Sequence, residues 1–233
     1  MCGPGLRLSS LAWATAPVPA RGPLLVVANH PGLFDALALF AAIAREDLVV
    51  LAARRPLLDA LPNLRARLLA IESGASTGAA VRAAVRHLAS GGALLHFPAG
   101  CIEPDPRLAA PSKPLLHAWK PGVDTIVRAT LRTGAELRAV PMLVSGVVSR
   151  RASSLASAVT RSDVATDALV PLVQLTLPGF GDVDVQVHVG EILRPAASGD
   201  VARTLRRALL DLSDGATGVG RGGGGNGAGS SLP

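Results

Sequence analysis

His30 and Asp35 are the residues of this sequence best placed to do chemistry, in the run Pro23-Leu24-Leu25-Val26-Val27-Ala28-Asn29-His30-Pro31-Gly32-Leu33-Phe34-Asp35. A carboxylate on one imidazole nitrogen fixes the tautomer and leaves the other nitrogen free to accept a proton. Across a tight Pro-Gly turn the two side chains can face each other, which makes the pair a candidate general-base dyad. Donors for any oxyanion formed nearby are expected from backbone N–H groups around Gly32 or Gly100, where glycine allows close approach.

The surrounding pattern supplies elements able to position this pair. The Leu- and Val-rich run from Leu24 to Ala28, closed by Asn29 and His30, reads as a buried parallel strand. The carboxyl end of such a strand is where open α/β sheets place ligands. Leu33 to Ala44 reads as a helix, with Asp35 in its first turn, where exposed N–H groups favour an anion. Further strands are expected over Asp47–Ala52, Ala93–Phe97, Glu136–Val144 and Val183–Val189. Helices are expected from Arg54-Arg55-Pro56 on to Leu69, and over Thr77–Ala89, Gly122–Thr133 and Ala202–Leu212. The alternation implies βα units: a single α/β domain with a mostly parallel central sheet flanked by helices.

Three later segments extend the pattern: His96-Phe97-Pro98-Ala99-Gly100, Trp119-Lys120-Pro121-Gly122 and Ala139-Val140-Pro141-Met142. With the His-x4-Asp pair preceded by Asn29, they resemble, in order, the motifs of the glycerolipid and lysophospholipid acyltransferases over roughly Pro23 to Gly146. The resemblance implies the fold of that family and transfer of a fatty acyl group from a thioester of coenzyme A or acyl carrier protein to a hydroxyl of a glycerol-phosphate or lysophospholipid. It implies His30 and Asp35 as catalytic residues, and Asn29, Gly32, Phe97, Pro98, Gly100, Lys120 and Pro141 as substrate-binding ones. The acyl thioester is then a co-substrate, and neither a further cofactor nor a metal is implied.

The chain also departs from the family pattern. Ala99 replaces the Glu of the Phe-Pro-Glu-Gly block, and Cys101-Ile102 replaces the Thr-Arg that follows, with Glu103 and Arg107 nearby. Ser73, after Ala70-Ile71-Glu72, stands where the second motif, Gly-x-x-x-Ile-x-Arg, carries Arg. Lys120 then becomes the leading candidate to meet an acceptor phosphate, with Arg82 and Arg86 on one helix face as further cations.

Two other readings compete. Gly74-Ala75-Ser76-Thr77-Gly78 matches Gly-x-Ser-x-Gly, the nucleophile elbow of serine hydrolases, with His188 and Asp163, Asp167 or Asp182 downstream. A catalytically silent lipid-binding module on the same scaffold is the other reading, motivated by the missing Glu and Arg.

The chain has 233 residues and a net charge of +6, with Lys113 and Lys120 its only lysines. An Arg-borne surplus suits anionic partners such as phosphorylated substrates, coenzyme A or an acidic membrane surface. Scarce aromatics and the lack of a binding motif argue against nucleic acid. Cys2 and Cys101 form no disulfide framework, so a reducing, cytoplasmic setting is expected, with peripheral contact at the inner membrane face. Cys101 reads as a packing residue. Neither a signal peptide nor a transmembrane span is expected. Residues 1–21 read as an irregular arm carrying Trp13, with a short helix near Leu6 to Ala14. Residues 22–212 form the domain, and the Gly- and Ser-rich residues 213–233 are expected to be disordered.

Overall fold

A computed structural model describes residues 6–12, 17–32, 34–53, 62–71, 77–109, 112, 114–160 and 162–218, with backbone alone at 6–12, 77, 163–165, 167, 168 and 215–218. Seven strands form one sheet: β1 (Leu6–Ala12), β2 (Leu24–Ala28), β3 (Leu48–Ala53), β4 (Leu68–Ile71), β5 (Ala93–His96), β6 (Arg138–Ser145) and β7 (Val183–Val189). Their order is β1-β7-β6-β2-β5-β3-β4. β6, β2, β5, β3 and β4 run parallel, whereas β7 pairs antiparallel with β6 and parallel with β1.

Helices α1 (Asp35–Ile43), α2 (Pro62–Arg65), α3 (Thr77–Ala89), α4 (Val123–Leu131), α5 (Arg150–Val159), α6 (Asp163–Thr176) and α7 (Val201–Gly218) complete the described elements. β2 is buried along all of its length because both its faces are covered. Leu24, Val26 and Ala28 pack toward α1, and Leu25 and Val27 toward α3, α4 and α7. α7 presents Val201, Leu205, Leu209 and Leu212 as one buried stripe at helical spacing. α5 and α6 close a smaller cluster of Ala152, Ala156, Val170 and Val173.

The expected single α/β domain with a mostly parallel sheet is observed, with four local differences. Leu6–Ala12 is a strand, not an irregular arm or a short helix, because its backbone pairs residue for residue with β7. Leu68–Ile71 is an edge strand beside β3, where a helix was expected to continue to Leu69. The helical pair between β6 and β7 carried no expectation. α7 runs on to Gly218, past the expected boundary at 212, and the glycine-rich residues 219–233 lie outside the described residues. Among the described residues, no helix is long and apolar enough to cross a membrane.

At the sheet's amino-terminal end, Arg45 ties the layers together. It is 7% exposed and donates to the carbonyls of Pro19, Gly22 and Gly91 at 3.3, 2.8 and 3.0 Å, while pairing with Asp47 at 2.6 Å. Arg45→Met would leave those carbonyls without their donor. Urea denaturation should show a stability loss of about 3 kcal/mol, with the site at the far end of the strands unchanged.

Candidate active site

β2 delivers Asn29 and His30 to the carboxyl end of the sheet, and the Pro31-Gly32 break turns the chain into α1. His30 Nδ1 meets Asp35 Oδ2 at 2.7 Å. The same oxygen accepts the N–H of Gly32 at 3.0 Å, and Oδ1 accepts that of Ala36 at 2.5 Å. Asp35 is fully buried, so each of these donors offsets the cost of removing its charge from water. Nδ1 is thus the ring nitrogen engaged by Asp35, and the ring stacks on Phe97 with centroids 4.7 Å apart. Burial alone would lower the His30 pKa. The hydrogen bond and charge of Asp35, with the charge of Glu103, outweigh it and hold the pKa above the ordinary 6.5.

Glu103 is a member of this site that the family pattern does not place. Its Oε2 accepts the His30 N–H at 3.2 Å, and its Oε1 accepts the His117 N–H at 2.8 Å. Its own N–H returns a bond to the His30 carbonyl at 2.8 Å. Burial pushes the Glu103 carboxyl pKa up, and the two N–H donors oppose that rise. The only sequence signal for it was a carboxylate close behind the Phe-Pro-Ala-Gly block.

The other singled-out residues divide. Asn29 is fully buried and brackets Val144 of β6, donating to its carbonyl at 2.9 Å and accepting its N–H at 2.7 Å. Its side chain therefore locks β2 to β6. Pro141 is buried within β6 against Gly190 and lies away from the dyad cavity. The Gly32 N–H is taken by Asp35 at 3.0 Å and the Gly100 N–H by the Phe97 carbonyl at 3.1 Å.

Gly100 has φ +65°, and the Lys120 side chain lies across it, 2.9 Å from where a Cβ would sit. Lys120 donates its N–H to the Pro98 carbonyl at 3.0 Å, which brings the third and fourth motifs together. Cys101 is exposed and free, 3.4 Å from His117 Nδ1. Burial holds its thiol pKa above the ordinary value.

A cavity of about 460 Å³, within the range of small-molecule sites, is lined by Pro31, Gly32 and Glu103, which adjoin His30, while His30 and Asp35 themselves do not line it. Its walls are mixed: Glu103, Asp105, His117 and Gln174 are among the polar ones, and Phe34, Val147 and Val170 among the apolar ones. Among the described residues, no cluster of His, Cys, Asp and Glu could hold a metal ion.

Ser73 and Ser76 lie outside the described residues. His188, proposed as the hydrolase partner, sits on β7 beside Ser145. The geometry brings the dyad together, whereas the candidate nucleophile of the competing reading lies outside the described residues.

No family model matches the sequence, and no curated protein matches it. Among solved structures, the chain is similar to the crystal structure of the 1-acyl-sn-glycerophosphate (LPA) acyltransferase PlsC from Thermotoga maritima. The TM-score is 0.53 at 16% identity, over 94% of this chain and 75% of that one. The likeness shows that this chain has the PlsC fold.

Two measurements probe the site's titrations. His96, buried at the end of β5, has no hydrogen-bond partner for either ring nitrogen, and burial lowers its pKa to about 4. The folded state then binds fewer protons than the unfolded chain between pH 6.5 and 4, so stability is lost as pH falls through that window. The loss is about 3 kcal/mol when complete. His96→Leu should flatten this acid limb in denaturation midpoints; an equally steep fall would assign it to another group. For His30, Asp35→Asn removes the largest influences raising the ring pKa. An NMR titration of the imidazole should move from above 6.5 in the parent to a lower value in the variant.

Proposed function

We propose that this protein is an O-acyltransferase that moves a fatty acyl group from an acyl thioester to a hydroxyl of a lysolipid. The observation that carries the reading is the His30–Asp35 pair at 2.7 Å, next to a cavity of mixed lining at the carboxyl end of a PlsC-type sheet. The shared fold supports the class of reaction, and the dyad supports its mechanism.

In this reading His30 Nε2 removes the acceptor's hydroxyl proton as the oxygen attacks the thioester carbonyl. Asp35 holds the ring in place and stabilises the imidazolium. The tetrahedral intermediate collapses by breaking the carbon–sulfur bond, and the imidazolium returns its proton to the departing thiolate. Atoms and charge balance without an enzyme nucleophile. The donor is a thioester of coenzyme A or acyl carrier protein, with no further cofactor. The acyl chain fits the cavity walled by Phe34, Val147 and Val170, and Lys120 stands over Gly100 as a cation for an anionic part of either substrate. A lysolipid acceptor suits a cytoplasmic protein with peripheral contact at the inner membrane face.

Acyl transfer from a radiolabelled thioester to a panel of lysolipids tests this. His30→Ala should lower kcat by roughly two to four powers of ten with intact folding. In the wild type, kcat/KM should fall as pH drops through the raised His30 pKa, because the protonated ring cannot act as base. A rate independent of pH between 5 and 9, or one unaffected by His30→Ala, would sink the assignment. Lipid binding without turnover in the wild type would select the catalytically silent alternative.

A further inference from the structure

A second cavity, of about 510 Å³, adjoins the first at the carboxyl end of β6, and Leu108 and Val148 line both. Its cations are Arg107, Arg150 and Arg151. The Arg107 guanidinium crosses Gly146, whose φ is +73° and where a Cβ would sit 2.7 Å from Nη1. It donates to the Asp184 carbonyl at 2.9 Å and lies 3.6 Å from that residue's carboxylate. Arg150 reaches the Arg107 carbonyl at 3.4 Å. Both guanidiniums are thus held at backbone carbonyls of residues that line this cavity.

The floor beneath them is rigid. Buried Asp105 accepts the N–H groups of Arg107, Gly146 and Val148 at 3.0, 3.0 and 2.9 Å. Asp182 and Asp184 line the same cavity, so three cations face two carboxylates and a positive excess remains. Three arginines lining one cavity favour an anion that can be shared between them.

Exposed leucines lie on the last turns of α6 and just after it, shortly before Gly179 and Asp182 of the cavity lining. The Ser149 N–H bonds Gln174 Oε1 at 3.3 Å, which sets the start of α5 against the end of α6. There Leu172, Leu175 and Leu177 are 56%, 56% and 41% exposed. Cations next to exposed leucines are the combination that receives an anionic lipid.

We propose that the cavity lined by Arg107, Arg150 and Arg151 binds a phosphate ester. The assignment rests on the acyl-transfer reading for which phosphate ester is met, but its residues lie outside the dyad. Two sources share the chemistry: a lipid headgroup, which the leucines favour, and a free phosphate ester.

The test uses full-length His30→Ala protein, so that no turnover intervenes. Glycerol 3-phosphate is titrated by calorimetry, and vesicles of phosphatidylglycerol with phosphatidylcholine, or of phosphatidylcholine alone, are co-sedimented. Replacing all three arginines by alanine should weaken binding by about tenfold or more and flatten its salt dependence. Arg151→Ala, at an exposed position on the first turn of α5, should give a smaller loss in the same direction with folding retained. If Leu172→Ser with Leu175→Ser weakens vesicle binding but not glycerol 3-phosphate binding, the source is the lipid headgroup. Binding of glycerol 3-phosphate without vesicles selects the free ester. No binding in the parent, or binding indifferent to the arginines, overturns the proposal. Arg-dependent binding in a wild type that transfers no acyl group would sink the enzymatic reading and leave this site standing.

Discussion

The site depends on keeping one carboxylate ionised inside the protein. Asp35 is shut away from water, and three donors converge on it: the His30 ring, the Gly32 N–H and the Ala36 N–H. Two of these come from the turn and first helical residue that the Pro31-Gly32 break creates. The carboxylate therefore organises the turn, and the turn in return fixes the carboxylate. The ring cannot rotate freely, because rotation would leave Asp35 without its strongest partner and part the ring from Phe97. A buried charge with a missing partner costs several kcal/mol, more than most single contacts in a protein contribute.

That arrangement in turn requires β2 to keep its register between β5 and β6. Asn29 enforces it with a two-way bond to Val144. Glu103 enforces it from the other side, closing a ring of backbone bonds with His30 and holding His117 with its second oxygen. Neither side chain needs to touch a substrate to matter. Each restrains the strand end that aims the imidazole, and Glu103 also adds negative charge that favours its protonated form.

Much of this was legible in the sequence, and what was not has a common cause. Unbroken apolar runs identified β2 and β5 because a strand covered on both faces has no polar side to show. The His-x4-Asp spacing identified the dyad because a tight turn brings those positions together locally. The Asn29 bond to Val144 was not legible because the two lie 115 positions apart, and whether the Gly32 and Gly100 N–H groups are free depends on folded partners, not on the absence of a Cβ. β1 was invisible for the same reason. Leu-Arg-Leu-Ser-Ser-Leu-Ala is a weak strand pattern, and it acquires its conformation from β7, far along the chain. Glu103 lay in plain view, but its bond to His30 spans 73 positions and no local pattern encodes it.

The reversal of direction between β6 and β7 gives the departures from the family pattern a structural counterpart. In the parallel half of the sheet, Ala99 has no carboxylate, and its position is buried against the core. The antiparallel pairing of β7 places its amino-terminal end beside the carboxyl end of β6, so Asp184 and the loop before it reach the crevice that β2 and β6 open onto. Arg107 bridges the two halves by bonding Asp184 while Asp105 anchors the loop that carries it. A polar anchor removed from one side of a crevice can be replaced from the other only if the fold brings a second set of chain ends there. This topology brings such chain ends there, and Leu108 and Val148 line both cavities as a shared apolar wall.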